Sequence, residues 1–177
     1  MAEYDIVSSE TLCTTNLFSI RHDKVEMPDG KIAGRDLVVK GGAAAIVPVD
    51  TDGKIIFVSQ YRHGLFKKTV EIPAGTLDDE NEDPRDCAIR ELEEEVAKKA
   101  GNMEFLFTLH PSVGFCSEYI NIYLATDLTD GVQNLDDDEF VEILKFSPKD
   151  ALKMIENGEI TDSKTIAGVL YYCQKYD

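Results

Sequence analysis

Ten carboxylates are crowded into the eighteen positions from Asp78 to Glu95, with only Arg85 and Arg90 between them. Pro84, inside this stretch, is typical of the first turn of a helix. From there an advance of ~100° per residue gathers apolar side chains into one stripe that would pack on a sheet. The stripe consists of Ala88, Ile89, Leu92 and Val96. We therefore expect an amphipathic helix from residue 84 to about residue 99.

The acidic face of this helix constrains the chain further. Glu91, Glu94 and Glu95 share one arc, because positions three and four apart are neighbours on a helix surface. Arg90 can pair with Glu94, whereas Glu91 and Glu95 repel each other unless a cation lies between them. Oxygen ligands without histidine or cysteine favour Mg²⁺, with Mn²⁺ as a second option, and the EIPAG turn at 71–75 could add backbone carbonyls. The alternative, an ordinary solvated acidic face, leaves Arg90 and the turn unexplained.

Length and charge limit the classes of function. A chain of 177 residues with 43% apolar content suits one compact core. A formal net charge of −16 argues against nucleic acid and anionic membranes as partners. The chain has no long apolar run and no leader-like N-terminus, so we expect a cytoplasmic protein. Its four cysteines lack the spacing of a zinc site or a disulfide framework. A phosphate compound bound here would need divalent cations to screen its charge.

Strand patterns surround the acidic helix. Two hairpins are predicted before residue 62, around the turn signals PDG at 28–30 and DG at 52–53. Further strands are predicted in MEFLFTLH, YINIYLATDL and EFVEILKF, followed by two helices. The first of these helices begins at Ser147-Pro148 and ends at Asn157-Gly158. The hairpin of residues 1–40 could form a separate β subdomain that serves association, with residues 41–177 as the main domain.

The spacing of the acidic stretch resembles the signature of the Nudix hydrolases, G-x5-E-x7-R-E-U-x-E-E-x-G-U, in which U is a bulky aliphatic residue. The matching positions are Gly75, Glu82, Arg90, Glu91, Leu92, Glu94 and Glu95. Two departures stand out. Six residues rather than five separate Gly75 from Glu82, and Ala97-Lys98 replaces the final G-U pair, so the helix is expected to continue to a C-cap at Gly101.

The segments QYRHGLFKKTVEIPAGTL and HPSVGFCSEYINIYLA and the ending from DDDEF onward resemble the ADP-ribose pyrophosphatase branch. This resemblance implies an α/β (α+β) Nudix fold, with a mixed β-sheet sandwiched between helices and an N-terminal antiparallel β subdomain. It also implies a homodimer that hydrolyses ADP-ribose to AMP and ribose 5-phosphate. Two alternatives stay open: hydrolysis of another nucleotide sugar or a dinucleotide, and a catalytically silent module that binds a nucleotide.

The resemblance also implies roles for individual residues. The metal ligands would be the Ala74 carbonyl, Glu91 and Glu95, with Glu94 as a further ligand or as the partner of Arg90. Glu82 would neighbour the metal or fix Arg90 by an ion pair. The catalytic set is then Glu139, Glu94, Arg90 and Glu82.

Glu139, in the loop before the last strand, would bind metal or deprotonate water, with Glu142 as the alternative. Substrate recognition would fall on Arg35, Arg62, Glu71 and Gly114. An arginine offers a bidentate fork to phosphate, and arginines on strand edges stand out in so acidic a chain.

Overall fold

The computed structural model describes residues 4–79, 81–135 and 140–176. The chain divides into two units. One consists of the residues up to Gly41 together with His110–Tyr119, and the other of Gly42–Leu109 and the residues from Ile120 onward. Within the described ranges, no helix is long and apolar enough to span a membrane.

The smaller unit contains an antiparallel sheet of three strands in the order β1-β2-β3. These strands are β1 (Asp5–Thr14), β2 (Ser19–Glu26) and β3 (Ile32–Val39). The hairpin predicted at PDG is confirmed, because Gly30 adopts φ 80° and the Asp29 side chain accepts the Lys31 amide. The sequence patterns do not predict β1. All ten of its residues are exposed, so no buried face produces the alternation of apolar and polar residues that marks a strand.

The larger unit holds the other strands and the helices. The strands are β4 (Ala43–Pro48), β5 (Ile55–Arg62), β6 (Lys67–Glu71), β7 (Ala74–Thr76), β8 (Lys98–Leu109), β9 (Ile120–Asp130) and β10 (Glu142–Phe146), and the helices are α1 (Pro84–Val96), α2 (Pro148–Glu156) and α3 (Ser163–Tyr176). They form a mixed sheet in the order β7-β4-β9-β8 and an antiparallel sheet in the order β10-β5-β6.

Strand β4 organises the core of the larger unit. It pairs in parallel with β9 and antiparallel with β7, and its residues are buried throughout. Because successive side chains of a strand point to opposite faces, Ala44 and Ile46 pack with α1, whereas Ala45 and Val47 pack with α2 and α3. The sheet thus lies between helices, which confirms the predicted fold class.

The buried stripe of α1 differs from the prediction at one position. Ala88, Leu92 and Val96 are buried as expected, and Cys87 joins them. The assignment of Ile89 to this stripe is wrong, because its side chain is 38% exposed. Ile89 follows Ala88 by ~100° around the helix, which takes it beyond the edge of the face that meets the sheet.

The predicted end of α1 is also wrong. The helix ends at Val96 rather than continuing to Gly101, and Ala97 adopts a left-handed conformation with φ 53°. The Ala97 amide donates to the Glu93 carbonyl, and the Ala97 carbonyl accepts the Gly131 amide. From Lys98 onward the backbone pairs with β9, so a long-range strand pairing ends the helix where local propensity alone would let it continue.

Candidate active site

Helix α1 has a well-defined start. The Asp83 side chain accepts the Arg85 amide at 2.8 Å, and Pro84 occupies the first position, where a missing N–H costs nothing. Burial of the apolar stripe against the sheet then fixes the rotation of the helix. As a result Glu91 and Glu95, in its second half, lie beside the start of β7.

Arg90 is the centre of the carboxylate cluster. Its guanidinium donates to Glu91 at 2.7 Å and to Glu94 at 3.2 Å, and it lies 3.3 Å from Glu82. The sequence predicts Glu94 and Glu82 as possible ion-pair partners of Arg90. It does not predict the contact with the adjacent Glu91. Partial burial disfavours the charged guanidinium, yet the neighbouring carboxylates, Glu91 foremost, raise the pKa of Arg90 above its ordinary value.

Glu95 ties α1 to the backbone at the start of β7. It is only 2% exposed, and its Oε2 accepts the Ala74 amide at 2.9 Å. A buried carboxylate needs such a donor, because burial without a hydrogen bond is costly. The structure therefore brings Glu95 to residue 74, through the Ala74 amide and not through the carbonyl that was predicted to bind metal.

Gly75 adjoins the same cluster, and only glycine leaves room at this position for the Glu91 carboxylate. A Cβ at position 75 would lie 1.9 Å from Glu91 Oε1 and 2.1 Å from its Cδ. The Glu91 carboxylate therefore occupies the space that any larger side chain at this position would fill. Glu91 and Glu95 thus meet two consecutive residues of strand β7, Gly75 and Ala74.

Arg62 and Glu71 form a second charged pair. Arg62 Nε donates to Glu71 Oε1 and Nη2 to Oε2, both at 2.7 Å. Burial alone would raise the pKa of Glu71, but Arg62 and Lys164 outweigh it and lower the pKa to about 2. The hydrogen bond to Glu71 raises the pKa of Arg62, with a smaller contribution from the charge of Glu95. Arg62 therefore lies within electrostatic reach of the α1 cluster.

The remaining predicted residues belong to other parts of the chain. Arg35 and Gly114 belong to the smaller unit and are exposed, and Arg35 donates to the Gly34 carbonyl. Glu139 lies outside the described residues. Glu142 begins β10, where its exposed carboxylate is 4.0 Å from Lys68.

The α1 carboxylates are suitable donors for a hard divalent cation. Glu91, Glu94 and Glu95 offer oxygen only, and the backbone of β7 lies beside Glu91 and Glu95. As placed, no three acidic, histidine or cysteine side chains of the described ranges converge on one point as a metal site requires. Glu91, Glu94 and Glu82 are instead each paired with the Arg90 guanidinium.

Sequence reasoning missed Lys164 and Thr165, at the start of α3. Lys164 is buried and contacts both Glu71 and Asp162, and Thr165 Oγ1 accepts the Ile72 amide at 2.9 Å. The one local signal is an aspartate three residues before a threonine, which is a helix N-cap pattern. The partner Glu71 lies 93 residues away, beyond the reach of any local pattern.

A mixed sheet lies between helices, and a carboxylate-rich helix packs against a glycine of strand β7. This combination defines the class. The NUDIX domain profile matches residues 39–168, and the chain belongs to this family.

Three relatives are similar over most of their length. The ADP-ribose pyrophosphatase of Mycobacterium tuberculosis (strain ATCC 25618 / H37Rv) is 41% identical over 174 residues, which cover 96% of this chain and 84% of the relative. The methanol dehydrogenase activator of Bacillus methanolicus is 38% identical, and the ADP-ribose pyrophosphatase of Bacillus subtilis (strain 168) is 36% identical. Both of these alignments span 171 residues, 96% of this chain and 92% of each relative.

The fold also matches a solved crystal structure of an ADP compounds hydrolase. The TM-score is 0.88 at 21% sequence identity, and the match covers 98% of this chain and 94% of the other. This likeness confirms the Nudix fold.

Proposed function

We propose that this chain hydrolyses the diphosphate bond of a nucleoside diphosphate derivative, with ADP-ribose as the preferred substrate and AMP and ribose 5-phosphate as products. The observation that carries the proposal is the placement of two α1 carboxylates against the start of β7, with Glu91 over Gly75 and Glu95 on the Ala74 amide. Relatives named ADP-ribose pyrophosphatases, 36% and 41% identical over nearly the whole chain, support the substrate.

The proposal includes a divalent cation, with Mg²⁺ as the physiological ion and Mn²⁺ as a second option. Glu91, Glu95 and the Ala74 carbonyl would hold it, with Glu94 as a further ligand. Such an ion screens the charge of the diphosphate and lowers the pKa of a water molecule that it binds. The donor chemistry supports this choice, since carboxylate and carbonyl oxygens suit hard ions.

The chain's own residues have separate tasks in this proposal. Arg90 offsets part of the repulsion among the glutamates and, with Glu82, keeps them together. Arg62 donates hydrogen bonds to the substrate phosphate, and Arg35, Glu71 and Gly114 complete substrate recognition. Glu139 accepts the proton of the attacking water, with Glu142 as the alternative. The water oxygen bonds to phosphorus, and the bridging P–O bond breaks.

We further propose that the residues up to about 40 serve association and that the functional form is a homodimer, with catalysis in the rest of the chain. The support is the surface of β1, which exposes several apolar side chains rather than burying them. Three of them are Ile6, Val7 and Leu12, each more than half exposed. Such a concentration of apolar surface is typical of an interface. Sedimentation equilibrium tests this: a dimer mass is expected, and a monomer mass at micromolar concentration would contradict it.

The experiment that tests the function is a substrate panel with product analysis. The purified protein is incubated with ADP-ribose, other nucleotide sugars and a diadenosine polyphosphate, each with Mg²⁺ or with excess chelator. Mg²⁺-dependent release of AMP and ribose 5-phosphate, fastest from ADP-ribose, is expected. Faster cleavage of another compound would retain the chemistry and replace the substrate. No cleavage by folded protein would contradict the enzyme assignment and favour a nucleotide-binding module.

A further inference from the structure

In the Arg62–Glu71 pair, the carboxylate contacts one edge of the guanidinium and leaves the other edge without a hydrogen bond to the described residues. Glu71 contacts the Nε–Nη2 edge of the guanidinium, so the opposite edge, which carries Nη1, is the one that a phosphate can approach. The Arg62 side chain is 43% exposed, whereas that of Glu71 is 3% exposed. A buried carboxylate therefore holds a partly exposed guanidinium in one orientation.

Glu71 is itself held from the other side by Lys164. The Lys164 ammonium donates to Glu71 Oε2 and, at 3.0 Å, to Asp162 Oδ2. Asp162 is fixed in turn by the amide and hydroxyl of Thr165. Arg62, Glu71, Lys164 and Asp162 thus form a chain of alternating charges that leads from the first turn of α3 to the guanidinium.

The same turn of α3 also fixes the backbone next to Glu71. The Ile72 amide donates to Thr165 Oγ1, and both residues are fully buried. Side chain and backbone are therefore held at adjacent positions, which leaves Glu71 little freedom to rotate.

Stability alone does not explain a buried lysine at this place. Buried ion pairs add little net stability, and well-packed apolar residues often replace them without loss. The chain of alternating charges ends on Arg62, whose Nη1 edge faces away from Glu71. It can therefore fix the direction of the Arg62 guanidinium before a ligand binds.

We propose that Lys164 is a positioning residue for the substrate diphosphate: by holding Glu71, it keeps the free edge of Arg62 directed at the phosphate. This inference rests on the proposed function. Without the Lys164 charge, Glu71 keeps its pair with Arg62 and the hydrogen bond from the Thr69 hydroxyl to Oε1, but Oε2 loses its second cationic donor. The carboxylate, and with it the guanidinium of Arg62, is then held less firmly. Substrate binding is affected more than the chemical step.

The test compares steady-state kinetics of wild-type protein, Lys164→Met, Lys175→Met and Arg62→Ala with ADP-ribose. Lys175 is a matched control, because it lies on the same helix and pairs with Glu104 at 3.0 Å. We expect Lys164→Met to raise KM by about tenfold, as loss of one charge-assisted contact would, with kcat changed less than about twofold. The control should leave both constants unchanged.

A double-mutant cycle separates positioning from a general structural role. If Lys164 acts through Arg62, adding Lys164→Met to Arg62→Ala raises KM no further. An additive rise, or a normal KM in Lys164→Met, overturns the proposal. If Lys164→Met does not fold, Lys164→Gln, which removes the charge but retains a donor, takes its place. A normal KM in Arg62→Ala alone also overturns the proposal.

Binding of ADP, measured by calorimetry on the same proteins, distinguishes a failure of the positioning role from a failure of the proposed function. Normal wild-type hydrolysis with unchanged KM in Lys164→Met refutes this inference and leaves the proposed function standing. No wild-type hydrolysis, with ADP binding weakened by Lys164→Met, refutes the proposed function and supports the positioning role. Equal ADP affinity in wild-type protein and Lys164→Met refutes the positioning role in either case.

Discussion

An alanine at position 75 would place a methyl group where the Glu91 carboxylate now lies. The contact distances of 1.9 Å to Oε1 and 2.1 Å to Cδ are far below van der Waals separation, so one group must move. The atoms that collide are the end of a flexible side chain, and φ of Gly75 lies outside the left-handed region. The backbone therefore tolerates Gly75→Ala, and the Glu91 carboxylate is displaced.

The two consequences differ in size. The free energy of unfolding should change by less than about 1 kcal/mol, because the chain gains an alanine without backbone strain. The Mg²⁺ concentration for half-maximal hydrolysis should rise by about 10- to 100-fold, as is typical when the support of a metal ligand is lost.

The assay is a Mg²⁺ titration of ADP-ribose hydrolysis, with thermal unfolding measured on the same preparations. Gly64→Ala is the matched control, because a Cβ at position 64 meets no atom within 4 Å. Folded Gly75→Ala protein with a wild-type Mg²⁺ requirement and rate would refute the role assigned to Glu91.

Three further predictions concern stability and reactivity. Ala97→Gly should raise the free energy of unfolding by about 0.5–1 kcal/mol in chemical denaturation, because φ 53° is strained for alanine; a loss of stability would contradict this. The Glu71 pKa of about 2, against 4.5 for the free group, is worth up to about 3 kcal/mol above pH 5 and is lost as pH falls toward 2. Wild-type protein should therefore lose more stability than Glu71→Gln between these pH values, and parallel unfolding curves would exclude that contribution. Burial raises the pKa of the Cys87 thiol to about 12, so iodoacetamide at pH 8 should modify the exposed Cys13 and spare Cys87 in peptide mapping. Equal labelling would refute the burial of Cys87.

Local signals predicted the parts of the structure that depend on neighbouring residues. The start of α1 follows from a proline and an aspartate, and the turn at PDG follows from its glycine. The end of α1 depends on the pairing of Lys98 with Asp130 in β9, which no local pattern contains. Ala97 therefore adopts the strained conformation that a glycine would take without cost, and the helix is shorter than its sequence suggests.

In the candidate site, too, local sequence patterns predict some features and only the folded chain reveals the others. The arc of Glu91, Glu94 and Glu95 follows from helix periodicity, and the structure places these residues as that arc requires. The helix wheel alone does not reveal that Glu91 also bonds Arg90, because that contact depends on side-chain conformation. The support of Glu71 by Lys164 crosses 93 positions and is visible only in the folded chain.

The proposed function requires that the carboxylates of α1 serve a metal-dependent hydrolysis rather than the stability of the fold. Glu95→Gln tests this most directly, because the amide oxygen of glutamine can still accept the Ala74 amide while the charge is removed. The measurement is kcat for ADP-ribose hydrolysis at saturating Mg²⁺, with the melting temperature measured in parallel. We predict a loss of kcat of about 100-fold or more with little change in melting temperature. Near-normal Mg²⁺-dependent hydrolysis by Glu95→Gln would contradict the claim.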